Sequence, residues 1–329
     1  MNILVTGGAG YIGSHAARQL IEAGHEVVVV DNLYRGHRAA VHPKATFIQA
    51  SLTQKDVLEK AMREHQIEGV MHFAALAYVG ESVTQPLDYY QNNTHGSCCL
   101  LEAMDAAGVK RLVFSSTCAT YGEPESMPIV ETMHQQPINP YGWSKLMVER
   151  VLMDYAAANP SFAFTALRYF NVAGSAADGS IGEDHEPETH LIPVILNTIL
   201  GKRESITVFG TDYPTPDGTC IRDYIHVEDL VAAHITAMQS QSDGDHRFYN
   251  LGIGRGYSVK EIIEAVERVT GKTVNVEYGD RRPGDPPQLY ANSDKIQNEL
   301  GWSPKYTSID DIIATAWGWF SNHPDGYND

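Results

Sequence analysis

Cysteine is scarce in this chain, and positive charge is scarcer than negative. The 329 residues include only four cysteines, Cys98, Cys99, Cys118 and Cys220. Cys98 and Cys99 are adjacent, and no CxxC or Cys/His ligand spacing occurs, so neither a disulfide framework nor a zinc motif is indicated. They read as buried, reduced thiols of a cytoplasmic protein. The fourteen histidines form no HExxH or similar pattern, and no metal is expected. Twenty-four Lys and Arg stand against forty-one Asp and Glu, a formal charge of −17. That surface repels nucleic acid and anionic membranes, so neither is expected as a partner. An anionic small substrate would then require a local cluster of cations. No run of ~18 or more apolar residues appears, which argues against a membrane-spanning helix. No secretory leader is expected, because the first residues already read as a core strand. Internal repeats and low-complexity tracts are also missing.

What is present begins at once. Asn2-Ile3-Leu4-Val5-Thr6 is an apolar strand-like run, followed by Gly7-Gly8-Ala9-Gly10-Tyr11-Ile12-Gly13. An amphipathic helical pattern (Ala16, Ala17, Leu20, Ile21) comes next, is stopped by Gly24, and gives way to Val27-Val28-Val29-Val30 and Asp31. Strand, glycines, helix, strand and acid together form a dinucleotide-binding pattern. The glycines let backbone N–H groups approach a pyrophosphate at the positive end of a helix. Asp31, eighteen residues beyond Gly13, is placed to accept hydrogen bonds from an adenosine ribose. A carboxylate there repels a 2′-phosphate, so the reading is NAD rather than NADP.

Strand-like and helical patterns continue to alternate. Thr46-Phe47-Ile48, Val70-Met71-His72-Phe73, Arg111-Leu112-Val113-Phe114 and Phe162 to Tyr169 read as strands. Helices are predicted near 54–65, 92–107 and 141–158. Regular alternation implies an α/β fold, a Rossmann-type doubly wound parallel sheet, with ligands at the carboxyl ends of its strands. From about residue 172 loops rich in Gly, Pro, Asp and Glu take over. The expected organisation is an NAD-binding Rossmann domain over 1–171 and a smaller C-terminal substrate-binding domain over 172–329, with a segment near 221–240 able to return to the first.

Tyr141 and Lys145 stand four apart at the start of a predicted helix, so both project from one face. A lysine ammonium beside a phenol favours the phenolate. Bringing a tyrosine from ~10 to ~7 needs roughly 4 kcal/mol, at ~1.36 kcal/mol per unit. Lys145 and an oxidised nicotinamide ring are expected to supply it, making Tyr141 a base for a sugar hydroxyl. Phe114-Ser115-Ser116-Thr117 places hydroxyls at the sheet's carboxyl edge, where Thr117 can hold the same substrate oxygen.

On these residues the chain resembles the extended short-chain dehydrogenases/reductases, and among them the UDP-hexose 4-epimerases. The similarity runs nearly end to end. It includes the glycine loop, Asp31-Asn32-Leu33, Val79-Gly80-Glu81-Ser82, Tyr141-Gly142-Trp143-Ser144-Lys145 and Leu167-Arg168-Tyr169-Phe170-Asn171. Later matches are Asp217-Gly218-Thr219, Arg222-Asp223-Tyr224-Ile225-His226-Val227 and Arg281-Arg282-Pro283-Gly284-Asp285. The resemblance implies an isomerase of carbohydrate metabolism, galactose metabolism in particular. The implied reaction is reversible inversion at C4 of UDP-glucose or UDP-galactose through a transient 4-keto sugar, with tightly bound NAD. Tyr141, Lys145 and Thr117 would be catalytic. Gly7, Gly10, Tyr11, Ile12, Gly13, Asp31 and Asn32 would hold NAD, with Ser51, Leu52, Phe73, Ala74, Asn92, Tyr141, Lys145 and Tyr169. On the substrate side, Arg222 and Arg282 match contacts to the UDP phosphates, Asp285 one to the uridine ribose, and Phe209 one against uracil. Asn171, His190 and Leu191 match the loop at the pyrophosphate and sugar. Phe170, Tyr224 and Leu289, with Thr117 and Tyr141, complete the expected substrate contacts. A homodimer through the helices near 92–107 and 141–158 is also implied.

Several positions depart from the family pattern. Ser51 replaces an aspartate that bonds adenine, Ala77 a lysine near the nicotinamide, and Thr117 a serine. His190 stands where asparagine is common. Leu289 replaces a tyrosine in some members, which predicts room for N-acetylated sugars. UDP-pentoses and UDP-uronates stay open as substrates. Where 4,6-dehydratases carry an Asp-Glu pair this chain has Cys118-Ala119, which cannot do that proton transfer at neutral pH. A non-catalytic sensor of NAD or UDP-sugar is disfavoured by the joint presence of Tyr141, Lys145 and Thr117.

Overall fold

Runs of aliphatic residues that can be buried on both faces set the first half of the chain. The computed structural model describes residues 1–282 and 285–328. Pro283 and Gly284 of the Arg281–Asp285 motif, and Asp329, lie outside the described residues. Six runs form strands: β1 (Asn2–Thr6), β2 (Glu26–Asp31), β3 (Thr46–Gln49), β4 (Gly69–His72), β5 (Arg111–Ser115) and β6 (Ala163–Arg168). They lie parallel in the order β6, β5, β4, β1, β2, β3. The order reverses between β1 and β4, which leaves a crevice beyond their carboxyl ends.

The intervening helices are α1 (Tyr11–Glu22), α2 (Lys55–Glu64), the short α3 (Val79–Thr84) and α4 (Pro86–Tyr89), α5 (Gly96–Ala107) and α6 (Pro140–Ala158). Leu58, Leu100, Met104, Val148 and Leu152 from α2, α5 and α6 cover one face of the sheet, against Val28, Val70 and Phe114. Ala17 and Leu20 of α1 cover the other, together with Leu230 and Ala233 of the helix Val227–Ser240.

That last helix leads into a seventh parallel strand, His246–Asn250, paired with β6 so that Phe248 faces Ala166. The series of sheet strands was expected to close at Tyr169. The extra strand escapes an apolar-run criterion because it opens with His246 and Arg247 and follows a long excursion.

A separate core lies beyond the sheet. Ile192 and Leu196 of α7 (Leu191–Ile199) pack with Ile262 and Val266 of the helix Val259–Thr270 and with Ile312, Ile313 and Trp319 of the helix Ile309–Asn322. The parallel pair Ile206–Phe209 and Val276–Gly279 completes this lobe. Among the described residues no helix is long and apolar enough to cross a membrane.

Candidate active site

The glycine loop leaves β1 at the crevice. Gly7 takes a positive φ of 70°, and a Cβ there would lie 2.6 Å from the Ala74 nitrogen. A Cβ on Gly13 would lie 2.1 Å from the Gly7 carbonyl oxygen, so both positions exclude side chains. Gly10 is the N-cap of α1, and no side chain caps the first turn. A Cβ on Gly10 would meet only the Gly7 oxygen, at 3.4 Å, so this side of the loop is open. Uncapped N–H groups at an open helix start fit an anionic pyrophosphate. Asp31 is buried and its carboxylate accepts from the backbone N–H groups of Ala9 (3.0 Å) and Leu33 (2.8 Å). It therefore ties β2 to the glycine loop as well as standing where a ribose would be held. The Asn32 carboxamide accepts from the Tyr34 N–H at 3.0 Å. Leu52 is buried under Gly96, while Ala77 is exposed. The Ser51 hydroxyl accepts from Thr53 at 3.3 Å. Ile12 and Phe73 pack against the core beneath the crevice; Phe73 follows β4 directly and Ala74 comes next.

Asn139 and Pro140 fix where α6 starts. The Asn139 side chain accepts from the Gly142 N–H at 2.9 Å, and Pro140 at the first turn forfeits no hydrogen bond. Tyr141 and Lys145 consequently face the carboxyl end of β5. Lys145 is buried and donates to the Ser115 carbonyl at 2.8 Å, with its ammonium 5.0 Å from the Phe114 ring centre. Thr117 accepts from the Ala119 N–H at 3.1 Å and lies beside the Tyr141 phenol. Tyr169 hydrogen-bonds Ser115 behind them.

Lys145 by itself does not draw the phenol down; the expected shift rests on Lys145 and an oxidised nicotinamide ring together. Burial pushes Tyr141 up to about 12, opposed by the Thr117 hydroxyl. Burial pushes Lys145 down to about 7, opposed by Glu149 one turn along α6. Desolvation outweighs attraction: among the described residues Glu149 draws Lys145 up, and no cation draws the phenol down.

Residues that sequence reasoning missed support this pair from behind. Asn93, buried, accepts from the Leu76 N–H at 2.8 Å and donates to Ser144 of α6 at 3.0 Å. Its neighbour Asn92 donates to it at 3.0 Å. Glu149 and Arg168 form a buried two-point pair, 2.9 and 2.7 Å, joining α6 to β6. Thr6, His72 and Ser97 form a buried chain of hydrogen bonds, 2.7 and 2.9 Å, under the crevice. Arg168, Thr6 and His72 lie in runs already singled out, but their roles come from long-range pairing that no local pattern displays.

The expected substrate residues come together only in part. Arg222 and Asp285 pair with each other at 2.8 Å, and Arg222 also donates to the Pro286 carbonyl at 2.9 Å. Asp285, Met127 and Gln288 line a cleft of about 600 Å³. The Arg282 guanidinium lies 3.9 Å from the Phe209 ring centre, covering one face of the ring that was expected against uracil. Asn171 donates to the Asp223 carbonyl at 3.1 Å, and Tyr224 pairs with it in a two-stranded sheet. Leu289 and Phe170 pack beside Cys118 and Tyr121, just after Thr117. Leu191 begins α7.

His190 aims Nδ1 at Glu183 (3.1 Å) and Glu188 (2.9 Å). Those carboxylates hold His190 up at about 10 and His185 at about 9, while the imidazoles hold Glu188 down near 2. The segment carrying them spans the two lobes: Tyr11 donates to the Gly174 carbonyl at 2.6 Å, Arg18 pairs with Asp178 at 2.8 Å, and Arg35 donates to the Glu186 carbonyl.

The sequence profile of the NAD dependent epimerase/dehydratase family matches residues 3–252. The chain belongs to this family. It is 51% identical to a UDP-glucose 4-epimerase of Lacticaseibacillus casei, over 100% of this chain and 99% of the relative. A crystal structure of a UDP-glucose 4-epimerase superposes with a TM-score of 0.97 at 49% identity, covering 100% of both chains. The Brucella ovis UDP-glucose 4-epimerase, solved in complex with NAD, gives 0.93 at 46% identity over 97% of this chain and 98% of that one. Within a family of epimerases and dehydratases, Cys118-Ala119 matters. Burial pushes the Cys118 thiol well up, and Ala119 has no titratable group, so the turn offers no second acid/base pair.

Proposed function

We propose that this chain interconverts UDP-glucose and UDP-galactose by inverting C4 of the hexose, with NAD held as a resident cofactor. One observation carries the choice of chemistry: the Tyr141 phenol and Thr117 hydroxyl are neighbours at the carboxyl edge of the sheet, with Lys145 buried behind them and no further acid/base pair in the turn. When bound, NAD supplies the reversible hydride store that inversion at C4 requires, and its oxidised ring adds positive charge near the phenol. Tyr141 takes the proton of the 4-hydroxyl and later returns it. Thr117 holds the same oxygen, and Lys145 orients the turn through Ser115. A sugar gripped equally on both faces would be trapped, so the firm contacts belong on the nucleotide. Arg222, Arg282 and Asp285 are assigned that role, their mutual contacts being exchanged for phosphate and ribose.

In this reading residues 1–171, joined by the helix Val227–Ser240 and the strand His246–Asn250 that return to their sheet, hold the cofactor, and the rest of 172–329 holds the UDP-sugar. Four free thiols, three of them buried, support a reducing, cytoplasmic setting. A homodimer is also proposed. Val83 and Leu87, 63% and 74% exposed, stand on α3 and α4 beside Trp143 and Met147 of α6. The large exposed apolar side chains thus favour α3, α4 and α6 as the contact face rather than α5. Leu289 beside Phe170 supports a second substrate class, the N-acetylated UDP-hexoses.

The test uses purified chain and UDP-galactose with no added NAD, following the anomeric proton of UDP-glucose by NMR. Conversion is expected, and Tyr141→Phe should lower it by at least about a hundredfold with folding intact. No conversion, even with NAD supplied, refutes the assignment. Undetectable turnover of UDP-N-acetylgalactosamine alongside good turnover of UDP-galactose removes the second class.

A further inference from the structure

The four side chains Glu183, His185, Glu188 and His190 bring two imidazole nitrogens and two carboxylate oxygens within 4.8 Å of one another. Their separations are those of a coordination polyhedron. A tetrahedral zinc ion with bonds of ~2.0–2.2 Å sets its ligand atoms ~3.3–3.6 Å apart. Here Nδ1 of His185 lies 3.2 Å from Glu183 Oε1 and 3.5 Å from Glu188 Oε2. Nδ1 of His190 lies 3.1 Å from Glu183 Oε1 and 2.9 Å from Glu188 Oε1. With Glu188 Oε2 as its ligand atom, three edges, 3.2, 3.5 and 3.1 Å, are close to the required length.

A second observation concerns alignment. His185 Nδ1 and Glu188 Oε2 are both shut off from solvent and face each other as an ion pair at 3.5 Å, outside hydrogen-bond geometry. The Glu188 side chain is only 9% exposed and that of Glu183 4%. A buried carboxylate oxygen that no well-aligned donor satisfies, beside a ring nitrogen lying between two carboxylates, marks a position for a cation at the centre. Aromatic rings flank the site: the Tyr78 ring lies 6.0 Å from His185 and 6.1 Å from His190, and the Tyr11 ring 6.3 Å from His185.

We propose that Glu183, His185, Glu188 and His190 bind one divalent transition-metal ion of the zinc type. Two imidazoles select against magnesium and calcium, which take all-oxygen shells. Two carboxylates match the charge of a divalent ion. All four ligands come from the protein, which makes the site structural. The metal would hold the loop that leads into α7, alongside Tyr11 of the glycine loop. The spacing, a ligand at 183, 185, 188 and 190, resembles no common zinc motif, which is why no metal was expected from the sequence.

The experiment uses the full chain, stripped with a chelator and titrated with zinc chloride against a chromophoric zinc indicator. Metal content after gel filtration is read by mass spectrometry. One tightly held zinc per chain is expected, and cobalt(II) in its place should show the intense visible bands of four-coordinate geometry. His185→Gln and Glu188→Gln should each weaken zinc binding by more than ~100-fold, beyond the usual loss for an outer-shell change. Their folding is verified by circular dichroism. Equal zinc retention in wild type and both variants overturns the proposal, and so does a wild type with no saturable site. Should the variants fail to fold, wild type alone decides: only weak, six-coordinate cobalt bands overturn it. These readouts need no turnover, so they stand or fall apart from the epimerase assignment.

Discussion

Replacing Glu149 by Gln should damage both stability and the base that Tyr141 provides. Four donors converge on this carboxylate. Ser116 Oγ (2.6 Å) and Arg168 Nε (2.9 Å) meet Oε1, while Arg168 Nη2 (2.7 Å) and Gln135 Nε2 (3.0 Å) meet Oε2. Glutamine has one oxygen and one NH₂ group, so either orientation turns donors against donors. The side chains of Arg168 and Glu149 are 4% and 1% exposed, so water cannot repair the mismatch. Breaking a buried pair from one side costs about 3–5 kcal/mol. Unfolding entropy of ~2.1 cal/mol/K per residue over 329 residues is ~0.7 kcal/mol/K, which converts the loss to a melting point lower by ~4–7 °C. The functional consequence has a definite sign. Glu149 holds Lys145 up against burial, so its neutralisation lowers Lys145 below about 7 and shrinks the ammonium fraction at neutral pH. The limb of the pH–rate profile that needs that ammonium should move to lower pH. Calorimetry and pH-dependent turnover measure the two effects, and Glu149→Leu/Arg168→Met should melt closer to wild type than Glu149→Gln. A Glu149→Gln protein melting within ~1 °C of wild type, in the range of ordinary surface changes, would refute the reasoning.

Gly13→Ala places its Cβ 2.1 Å from the Gly7 oxygen, so the loop must open and the purified protein should carry much less NAD, assayed by release on denaturation. Asp223 is pushed up to about 7 by burial, from an ordinary 3.8, so the folded chain keeps a proton the unfolded one loses between those values. Stability gained through it is complete below about 3.8 and lost as pH rises through about 7, and denaturant titrations across that window should show the slope. In Asp223→Asn the slope should vanish, with a penalty of ~1–3 kcal/mol because both oxygens accept backbone N–H groups, from Ile253 and Ala291. Leu289→Tyr should depress turnover of N-acetylated UDP-hexoses more than that of UDP-galactose; equal effects on both would contradict a pocket wall at this position.

The cofactor side of the fold was legible because its signals are local. Gly7 to Gly13, the strand before them and Asp31 after them lie within one strand–helix–strand unit, and Tyr141 and Lys145 are one helical turn apart. What stayed hidden depends on distant partners. Arg222 and Asp285 meet across sixty-three positions, and Asn93 reaches Ser144 across fifty-one. The strand His246–Asn250 is polar where it starts, so only its pairing with β6 reveals it. The residue types of Tyr141 and Lys145 suggest attraction, but how deeply each is buried, which the sequence does not display, sets what Lys145 alone can do to the phenol.

The contacts from Gly174 to His190 have a kinetic meaning. Tyr11, Arg18 and Arg35, all from the lobe of the parallel sheet, are fastened to this one segment that leads into the other core. A cofactor held by the glycine loop behind these fastenings would leave by that route only as they let go. Its departure rate is then governed by the frequency with which the lobes part rather than by how strongly its own atoms are held. A cofactor of modest equilibrium affinity would in this way survive purification, and a variant that loosens the segment would shed it without losing a single contact to it.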